Sequence, residues 1–240
     1  RFEKIVKNNK YRPALKFDAI QDNWVSYGEL NSRANQLARY LITKNIKIND
    51  VVCISGIKRT NTFACILACI KIGAIYTILD FDSPIERLTK IINKCNPKIL
   101  ILDESLSISL RNLDYKINTE IMINKPDSHE SELSKLSQDN LLITKEVTSS
   151  DPAYIMFTSG STGFPKGAVI THGSLLNMIC WSIQTYKITV DDIFTNINPL
   201  FFDNSVFDFY SSLFSGASLA PFSKKIVTNP KLLIEKIDEL

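Results

Sequence analysis

The sequence predicts an α/β fold in which layered, mostly parallel sheets are flanked by helices. Short apolar runs alternate along the chain with longer segments in which apolar residues recur every three or four positions. The longer segments begin and end at capping residues. The chain has 240 residues, 45% of them apolar, which is enough to bury a large core. Strands that alternate with helices form parallel sheets, because each helix carries the chain back before the next strand.

The first half of the chain supplies most of the predicted elements. Ser26 and Glu29 have the spacing of a capping box at a helix start. A later helix over 60–72 ends at Gly73, and Ser83 and Pro84 begin a third. Strands are predicted at 13–19, 24–25, 51–55, 74–79 and 98–102.

Residues 103–150 are more polar and less regular, with a short apolar run at 121–123 and a short helix or ordered loop at 128–138. Beyond them, helices are predicted to begin at His172, Asp203 and Pro230, and Gly216 ends the second of these. Strands are predicted at 153–157, 168–170, 192–197 and 217–222.

Composition argues against several classes of function. The net charge of +3 comes without long basic runs, so nucleic-acid binding is not indicated. No apolar run has the length of a membrane span, and the polar N-terminus does not resemble a signal peptide. The cysteines lie in apolar stretches without metal-ligand spacing, which favours a reduced, cytoplasmic setting, and Cys65 and Cys69, one helical turn apart, are interpreted as core residues. The cysteines of the chain are Cys53, Cys65, Cys69, Cys95 and Cys180.

A loop rich in serine, threonine and glycine joins the strands at 153–157 and 168–170. Its small side chains allow the backbone to approach an anion, and Lys166 adds a positive charge, so we predict a phosphate-binding loop. The spacing fits neither a Walker loop nor a dinucleotide-binding loop. The alternative is a flexible hairpin loop. The predicted phosphate-binding residues are Thr158, Ser159, Gly160, Ser161, Thr162, Gly163, Lys166 and Gly167.

The segment Phe202-Asp203-Asn204-Ser205 marks a second candidate site. Phe207 lies one helical turn beyond Asp203, so both side chains can face one cavity. A carboxylate beside aromatic walls suits an ammonium group on a small organic molecule. Asp203 could equally cap the helix, and the residues alone do not choose between the two roles.

Three other ionisable residues receive less specific predictions. His172 is expected to pack or cap at a helix start, since no partner for proton transfer is identifiable. His129 lies in the polar region and is expected to be solvated. Asp208 is expected to be a solvated charge on its helix.

The segment Thr158-Ser-Gly-Ser-Thr-Gly-Phe-Pro-Lys166-Gly167 resembles the phosphate loop of the adenylate-forming superfamily, which includes acyl-CoA synthetases, luciferases and the adenylation domains of nonribosomal peptide synthetases. Phe202-Asp203-Asn204-Ser205 is similar to the F-D-x-S motif of amino-acid adenylation domains. Residues 24–30 and 69–80 are similar to two further motifs of these domains, with Thr77 and Ile78 where Val and Pro are usual. The resemblance covers nearly the whole chain and implies the N-terminal subdomain of an adenylate-forming enzyme.

This resemblance implies a reaction and a role for each site residue. ATP and Mg²⁺ would bind at the loop, where Thr158 and Lys166 would have catalytic roles. Asp203 would bind the α-amino group of an amino acid, beside Phe202, while Asn204 and Phe207 would line the side-chain pocket. The aminoacyl-AMP would pass to phosphopantetheine on a peptidyl carrier domain, in an assembly with condensation domains.

The family also requires later motifs, a hinge and a small C-terminal domain, which the sequence does not contain. We therefore expect residues 1–240 to be the first part of an adenylation core domain, inactive alone because many transition-state contacts are missing. Two alternatives stay open: an acyl- or aryl-CoA ligase of the same superfamily, and a non-catalytic nucleotide-binding or scaffolding module.

Overall fold

The computed structural model describes residues 1–19, 24–80, 82–102, 120–122, 130–142, 147–158 and 164–240. These form two compact units, one of residues 1–32 with 176–240 and the other of residues 33–175. Each unit contains a mainly parallel sheet with helices next to it in the chain, so the predicted α/β class is confirmed.

Strands and helices largely alternate along the chain, with three pairs of consecutive strands and one pair of consecutive helices among the described residues. In chain order they are α1 (Phe2–Asn9), β1 (Pro13–Lys16), β2 (Trp24–Ser26), α2 (Tyr27–Thr43), β3 (Val51–Ser55), α3 (Thr60–Ile72), β4 (Ile75–Leu79), α4 (Ile85–Cys95), β5 (Ile99–Leu102), β6 (Glu120–Met122), α5 (Glu130–Leu133), β7 (Pro152–Thr158), β8 (Lys166–Thr171), α6 (His172–Tyr186), β9 (Ile193–Asn196), α7 (Asp203–Leu213), β10 (Ser218–Pro221), α8 (Lys224–Val227) and α9 (Pro230–Asp238). No helix among the described residues is both long and apolar enough to cross a membrane.

The unit of residues 33–175 contains a six-stranded sheet in the order β6-β5-β3-β4-β7-β8. Neighbouring strands are parallel except β7 and β8, which form an antiparallel hairpin at one edge. Leu88, Ile91 and Ile92 of α4 pack with Cys53 and Leu79 of the sheet in one buried cluster. This packing fixes the strands from which the phosphate-loop hairpin extends.

The other unit contains a four-stranded sheet in the order β2-β1-β10-β9. Strands β1, β10 and β9 are parallel, and β2 pairs antiparallel with β1. The buried Tyr27 hydroxyl donates a hydrogen bond of 2.6 Å to the carbonyl oxygen of Ala217, just before β10. Helix α7, which begins at the predicted ammonium-binding residue, connects β9 to β10.

Local signals gave several boundaries correctly. The backbone N–H of Ser26 donates to the Glu29 carboxylate at 2.8 Å, and the Glu29 N–H donates to Ser26 Oγ at 3.2 Å, so the capping box is confirmed. Gly73 follows α3 with φ of 71°, a left-handed conformation that glycine adopts readily.

The strand predicted at 13–19 is too long, because β1 ends at Lys16. Asp18 and Ala19 have φ values of 51° and 50°, which an extended strand does not allow. The Asp18 carboxylate accepts a 2.6 Å hydrogen bond from the backbone N–H of Ser223, which stabilises the turn. Helices α1 and α8 were not predicted.

The cysteines are all free, and the core prediction for Cys65 and Cys69 is confirmed, because both are buried. Cys53 is also buried, and Cys95 is half-buried. Cys180 is exposed on α6 and accepts a 3.5 Å hydrogen bond from the Arg1 guanidinium.

Helix α2 binds the segment before the phosphate-loop hairpin through side-chain donors. The Arg39 guanidinium donates to the carbonyl oxygens of Asp139 at 2.7 Å and Ser137 at 3.1 Å. Asn35 Nδ2 donates to the carbonyl oxygen of Gln138 at 2.7 Å. Residues 137–139 are therefore held by side chains instead of by a strand ladder.

We expect Arg39→Met to destabilise the protein by about 1–2 kcal/mol, because two carbonyl oxygens lose a charged donor. The midpoint of urea unfolding of the full-length protein measures the change. Arg87→Met on α4 is the matched control, since it removes the same charge from another half-buried helical position. Equal midpoints for the two variants would contradict this role of Arg39.

Candidate functional site

The predicted phosphate loop connects β7 to β8 at the turn end of their hairpin. Thr158 is the last residue of β7 and pairs directly opposite Lys166, the first residue of β8. Both residues are exposed. Strand pairing thus places a hydroxyl and an ammonium group at facing positions where the loop leaves the sheet, and both groups can donate hydrogen bonds to an anion.

Of the predicted phosphate-binding residues, Thr158, Lys166 and Gly167 are described, whereas residues 159–163 lie outside the described part of the chain. Gly167 has a packing reason for lacking a side chain. A Cβ atom there would lie 3.0 Å from Ile155 Cγ2 and 3.1 Å from the Phe157 ring. The glycine therefore permits close packing within the hairpin.

The end of the loop contacts helix α4. Lys90 Nζ lies 4.6 Å from the centroid of the Phe164 ring, a cation–π contact. The adjoining Pro165 is buried. These contacts fix the chain just before Lys166. Sequence reasoning missed Lys90, because no motif connects it to the loop.

The candidate ammonium-binding residue stands at the first position of α7. Asp203 and its neighbour Asn204 are exposed, and the backbone N–H of Asn204 donates to Asp203 Oδ1 at 2.9 Å. Among the described residues this is the one hydrogen bond recorded for the Asp203 carboxylate. The N-cap position is Phe202 and no described side chain caps the helix, so Asp203 is an acidic residue of the first turn, and its carboxylate is exposed.

Buried hydrogen bonds hold this helix start against β9. Asn196 Nδ2 donates to Ser205 Oγ at 3.0 Å and to Asp208 Oδ2 at 3.1 Å. Ser205 Oγ in turn donates to the carbonyl oxygen of Asn198 at 2.7 Å. The prediction of a solvated Asp208 is thus wrong, because this half-buried carboxylate accepts a hydrogen bond from a buried amide. Ser205 fixes the backbone two residues from Asp203.

Phe207 lies one turn after Asp203 in a group of aromatic rings. Its ring centroid lies 5.8 Å from that of Tyr186, 6.2 Å from that of Phe194 and 6.4 Å from that of Trp181. Phe202, half-exposed, packs on Phe201 with 4.8 Å between ring centroids. Phe207 therefore belongs to an aromatic cluster, in which sequence reasoning missed Trp181 and Tyr186.

His172 is the first residue of α6, and its side chain is half-buried. Burial lowers the pKa of its imidazole, and the Asp151 carboxylate partly opposes this effect. The cap is provided by Thr171, whose Oγ1 accepts a hydrogen bond from the Ser174 N–H at 3.2 Å. Of the two predicted roles for His172, packing therefore fits the structure.

We expect the protein to lose stability as the pH falls from 7 to 5, and His172→Phe to weaken this loss. The folded-state pKa of His172 lies below the ordinary value of 6.5, so the unfolded state takes up a proton first. The stability that neutral His172 contributes is therefore fully present above pH 6.5 and is lost as the pH falls below that value. Thermal midpoints across this range test the effect, with His129→Phe as the control. His129 lies outside the described residues. An unchanged decline in His172→Phe would contradict the assignment.

Comparisons with known proteins agree on one family. The sequence profile of the AMP-binding enzyme family matches residues 2–240. A dimodular nonribosomal peptide synthase of Bacillus subtilis is 32% identical over 237 residues, which is 99% of this chain and 10% of that protein. A D-alanine–D-alanyl carrier protein ligase of Listeria welshimeri is 32% identical over 216 residues, 89% of this chain and 41% of that protein. The chain thus spans less than half the length of either relative.

Solved structures agree on the fold. The nonribosomal peptide synthetase FmoA3 matches with a TM-score of 0.82 and 21% identity, over 98% of this chain and 24% of that chain. Since the family profile extends over residues 2–240, the chain belongs to the AMP-binding enzyme family.

Proposed function

We propose that the full protein activates an amino acid with ATP, forming an aminoacyl-AMP and releasing pyrophosphate. The activated amino acid would then pass to the phosphopantetheine thiol of a carrier domain in nonribosomal peptide synthesis. Membership of the AMP-binding enzyme family supports the adenylation step. The similarity to a peptide synthase and to a D-alanyl carrier protein ligase supports an amino-acid substrate and a carrier acceptor.

The proposed ATP site is the turn end of the β7–β8 hairpin, where the loop connects the two strands. Thr158 and Lys166 face each other across it and are exposed. We propose that the loop from Ser159 to Gly163, with Gly167, surrounds the triphosphate, and that Lys166 neutralises charge on the β- and γ-phosphates. Mg²⁺ is proposed to enter as the Mg–ATP substrate and to neutralise further phosphate charge.

The exposed carboxylate of Asp203, one helical turn before Phe207, carries the amino-acid part of the proposal. A carboxylate at this position would form charge-assisted hydrogen bonds with the α-ammonium group. Asn204 and Phe207 would contact the substrate side chain, and Phe202 would pack beside its carboxylate. The hydrogen bonds of Ser205 to Asn196 and Asn198 support this arrangement, because they fix the first turn of α7.

The proposed chemistry has two displacement steps. A carboxylate oxygen of the amino acid bonds to the α-phosphorus, the bond from that phosphorus to the bridging oxygen breaks, and pyrophosphate leaves. A thiolate of phosphopantetheine then bonds to the acyl carbon, and AMP leaves. In the first step, the residues of this chain would hold the two substrates and offset negative charge.

We propose that this activity belongs to a longer chain in which residues 1–240 are the first part of the adenylation core domain. The chain spans 10% of the peptide synthase and 41% of the D-alanyl carrier protein ligase, which supports this view. The partners would be the rest of that domain together with peptidyl carrier and condensation domains.

Amino-acid-dependent exchange of labelled pyrophosphate into ATP tests the proposal in the full-length protein. We expect exchange with at least one amino acid, and a mass increase of the carrier domain by one aminoacyl group. Lack of exchange with every amino acid would contradict the proposal. If carboxylic acids without an amino group supported exchange and coenzyme A accepted the product, an acyl- or aryl-CoA ligase would replace it.

A further inference from the structure

Two phenylalanines flank the phosphate loop, and helix α4 takes part in the packing of both. Phe157 immediately precedes Thr158, is half-buried and packs against the buried cluster that α4 forms with the sheet. Beyond the loop, the centroid of the Phe164 ring lies 4.6 Å from Lys90 Nζ of α4. The same helix therefore supports the chain where it enters the loop and where it leaves it.

The contact beyond the loop joins two side chains at the surface. Phe164 is 63% exposed, and Lys90 is also exposed. Burial of apolar area therefore contributes little to the position of this ring. An ammonium group within about 6 Å of the centroid of an aromatic ring is attracted to its face even at exposed sites. The charge of Lys90 is therefore the interaction that holds the exposed ring against α4.

A short and stiff stretch of chain connects this ring to the proposed phosphate-binding lysine. Between Phe164 and Lys166 stands Pro165, which is buried and whose own ring fixes its backbone φ. Lys166 begins β8 and pairs opposite Thr158. The backbone of Lys166 is therefore held by the strand ladder on one side and by the supported Phe164–Pro165 segment on the other.

We propose that Lys90 is a positioning residue for the ATP site: by holding Phe164 against α4, it keeps the Lys166 ammonium group in place for the triphosphate. This inference rests on the proposed function, in which Lys166 binds the phosphates. Lys90 acts through the Phe164 ring and not by contact with the nucleotide. Its loss should therefore weaken the binding of ATP and leave the binding of the amino acid nearly unchanged.

Pyrophosphate exchange by the full-length protein, measured at varied ATP concentration, tests this role. Lys90→Gln should raise KM for ATP about two- to fivefold, the factor that a cation–π contact at an exposed site provides, with KM for the amino acid unchanged. Lys90→Arg should recover most of the loss, because a guanidinium group also stacks on an aromatic face. Lys94→Gln is the matched control, since Lys94 is an exposed lysine one turn further along α4. Its KM for ATP should equal that of the unchanged protein.

A double-mutant cycle with Phe164→Leu shows whether Lys90 acts through the ring. Phe164→Leu keeps an apolar side chain but removes the aromatic face, so it should raise KM for ATP by a factor similar to that of Lys90→Gln. Lys90→Gln added to Phe164→Leu should then cause little further change, because both substitutions remove the same contact. If Lys90 bound phosphate directly, Lys90→Gln would raise KM equally in both backgrounds, and the inference would be wrong.

The outcomes separate this inference from the proposed function. Thermal midpoints report whether each variant has kept its fold. An unchanged KM for ATP in folded Lys90→Gln, or an equal rise in Lys94→Gln, would contradict the inference and leave the proposed function intact. No exchange by the unchanged protein with any amino acid would contradict the proposed function and this inference with it.

Discussion

Asp203→Ala in the full-length protein should lower kcat/KM for the amino acid in pyrophosphate exchange by about 100-fold. The α-ammonium group would lose its charge-assisted partner, a loss of about 1.5–3 kcal/mol, and the substrate carboxylate would no longer be held near the α-phosphorus. Asp203→Asn should lose less, about tenfold, because an amide oxygen still accepts a hydrogen bond but has no charge.

Asp238→Ala is the control for this experiment. Asp238 is also an exposed helical aspartate, but it stands at the end of α9. Its exchange rate should be unchanged. Full activity in Asp203→Ala with any amino acid would show that the carboxylate does not bind the substrate.

Lys166→Gln should lower kcat/KM for ATP in the same assay by about 100-fold. The exposed ammonium group stands opposite Thr158 at the mouth of the loop, where the proposed triphosphate charge is concentrated. Removing one preorganised group that stabilises charge in a transition state commonly costs about two to three orders of magnitude. Lys166→Arg should recover part of the rate, since the charge remains but its geometry changes.

Lys98→Gln provides the matched control, as an exposed lysine next to another strand of the same sheet. KM for the amino acid should change little in Lys166→Gln, which separates loss of the ATP site from general damage. An unchanged KM for ATP together with an unchanged kcat would rule out contact between Lys166 and the phosphates.

The fold was predictable wherever short-range chemistry decides it. The Ser26–Glu29 capping box and the glycine after α3 act over a few residues, so their spacing was enough to fix helix boundaries. The order of strands in each sheet could not be predicted from such local signals. It depends on pairing between distant segments, as when β1 pairs with β10, and a single sequence contains no local sign of it.

The candidate site likewise contains residues that the sequence predicted and residues that it did not. The phosphate loop and the segment around Asp203 were visible because their residues are contiguous. Lys90 and Trp181 were not, because Lys90 meets Phe164 only when helix α4 packs against the loop, and Trp181 meets Phe207 only when α6 packs against α7. Asp208 was misjudged for a related reason. Its acceptor role depends on Asn196, which lies on the preceding strand and gives no periodic signal.

The antiparallel pairing of β7 and β8 allows the sequence and length of the loop between them to change during evolution. The strands are aligned by their own ladder, from Pro152 opposite Thr171 to Thr158 opposite Lys166. Exchanges or insertions at the tip therefore leave the sheet intact, because loop closure becomes only slightly costlier with length. Substitutions at the tip can thus accumulate almost independently of folding.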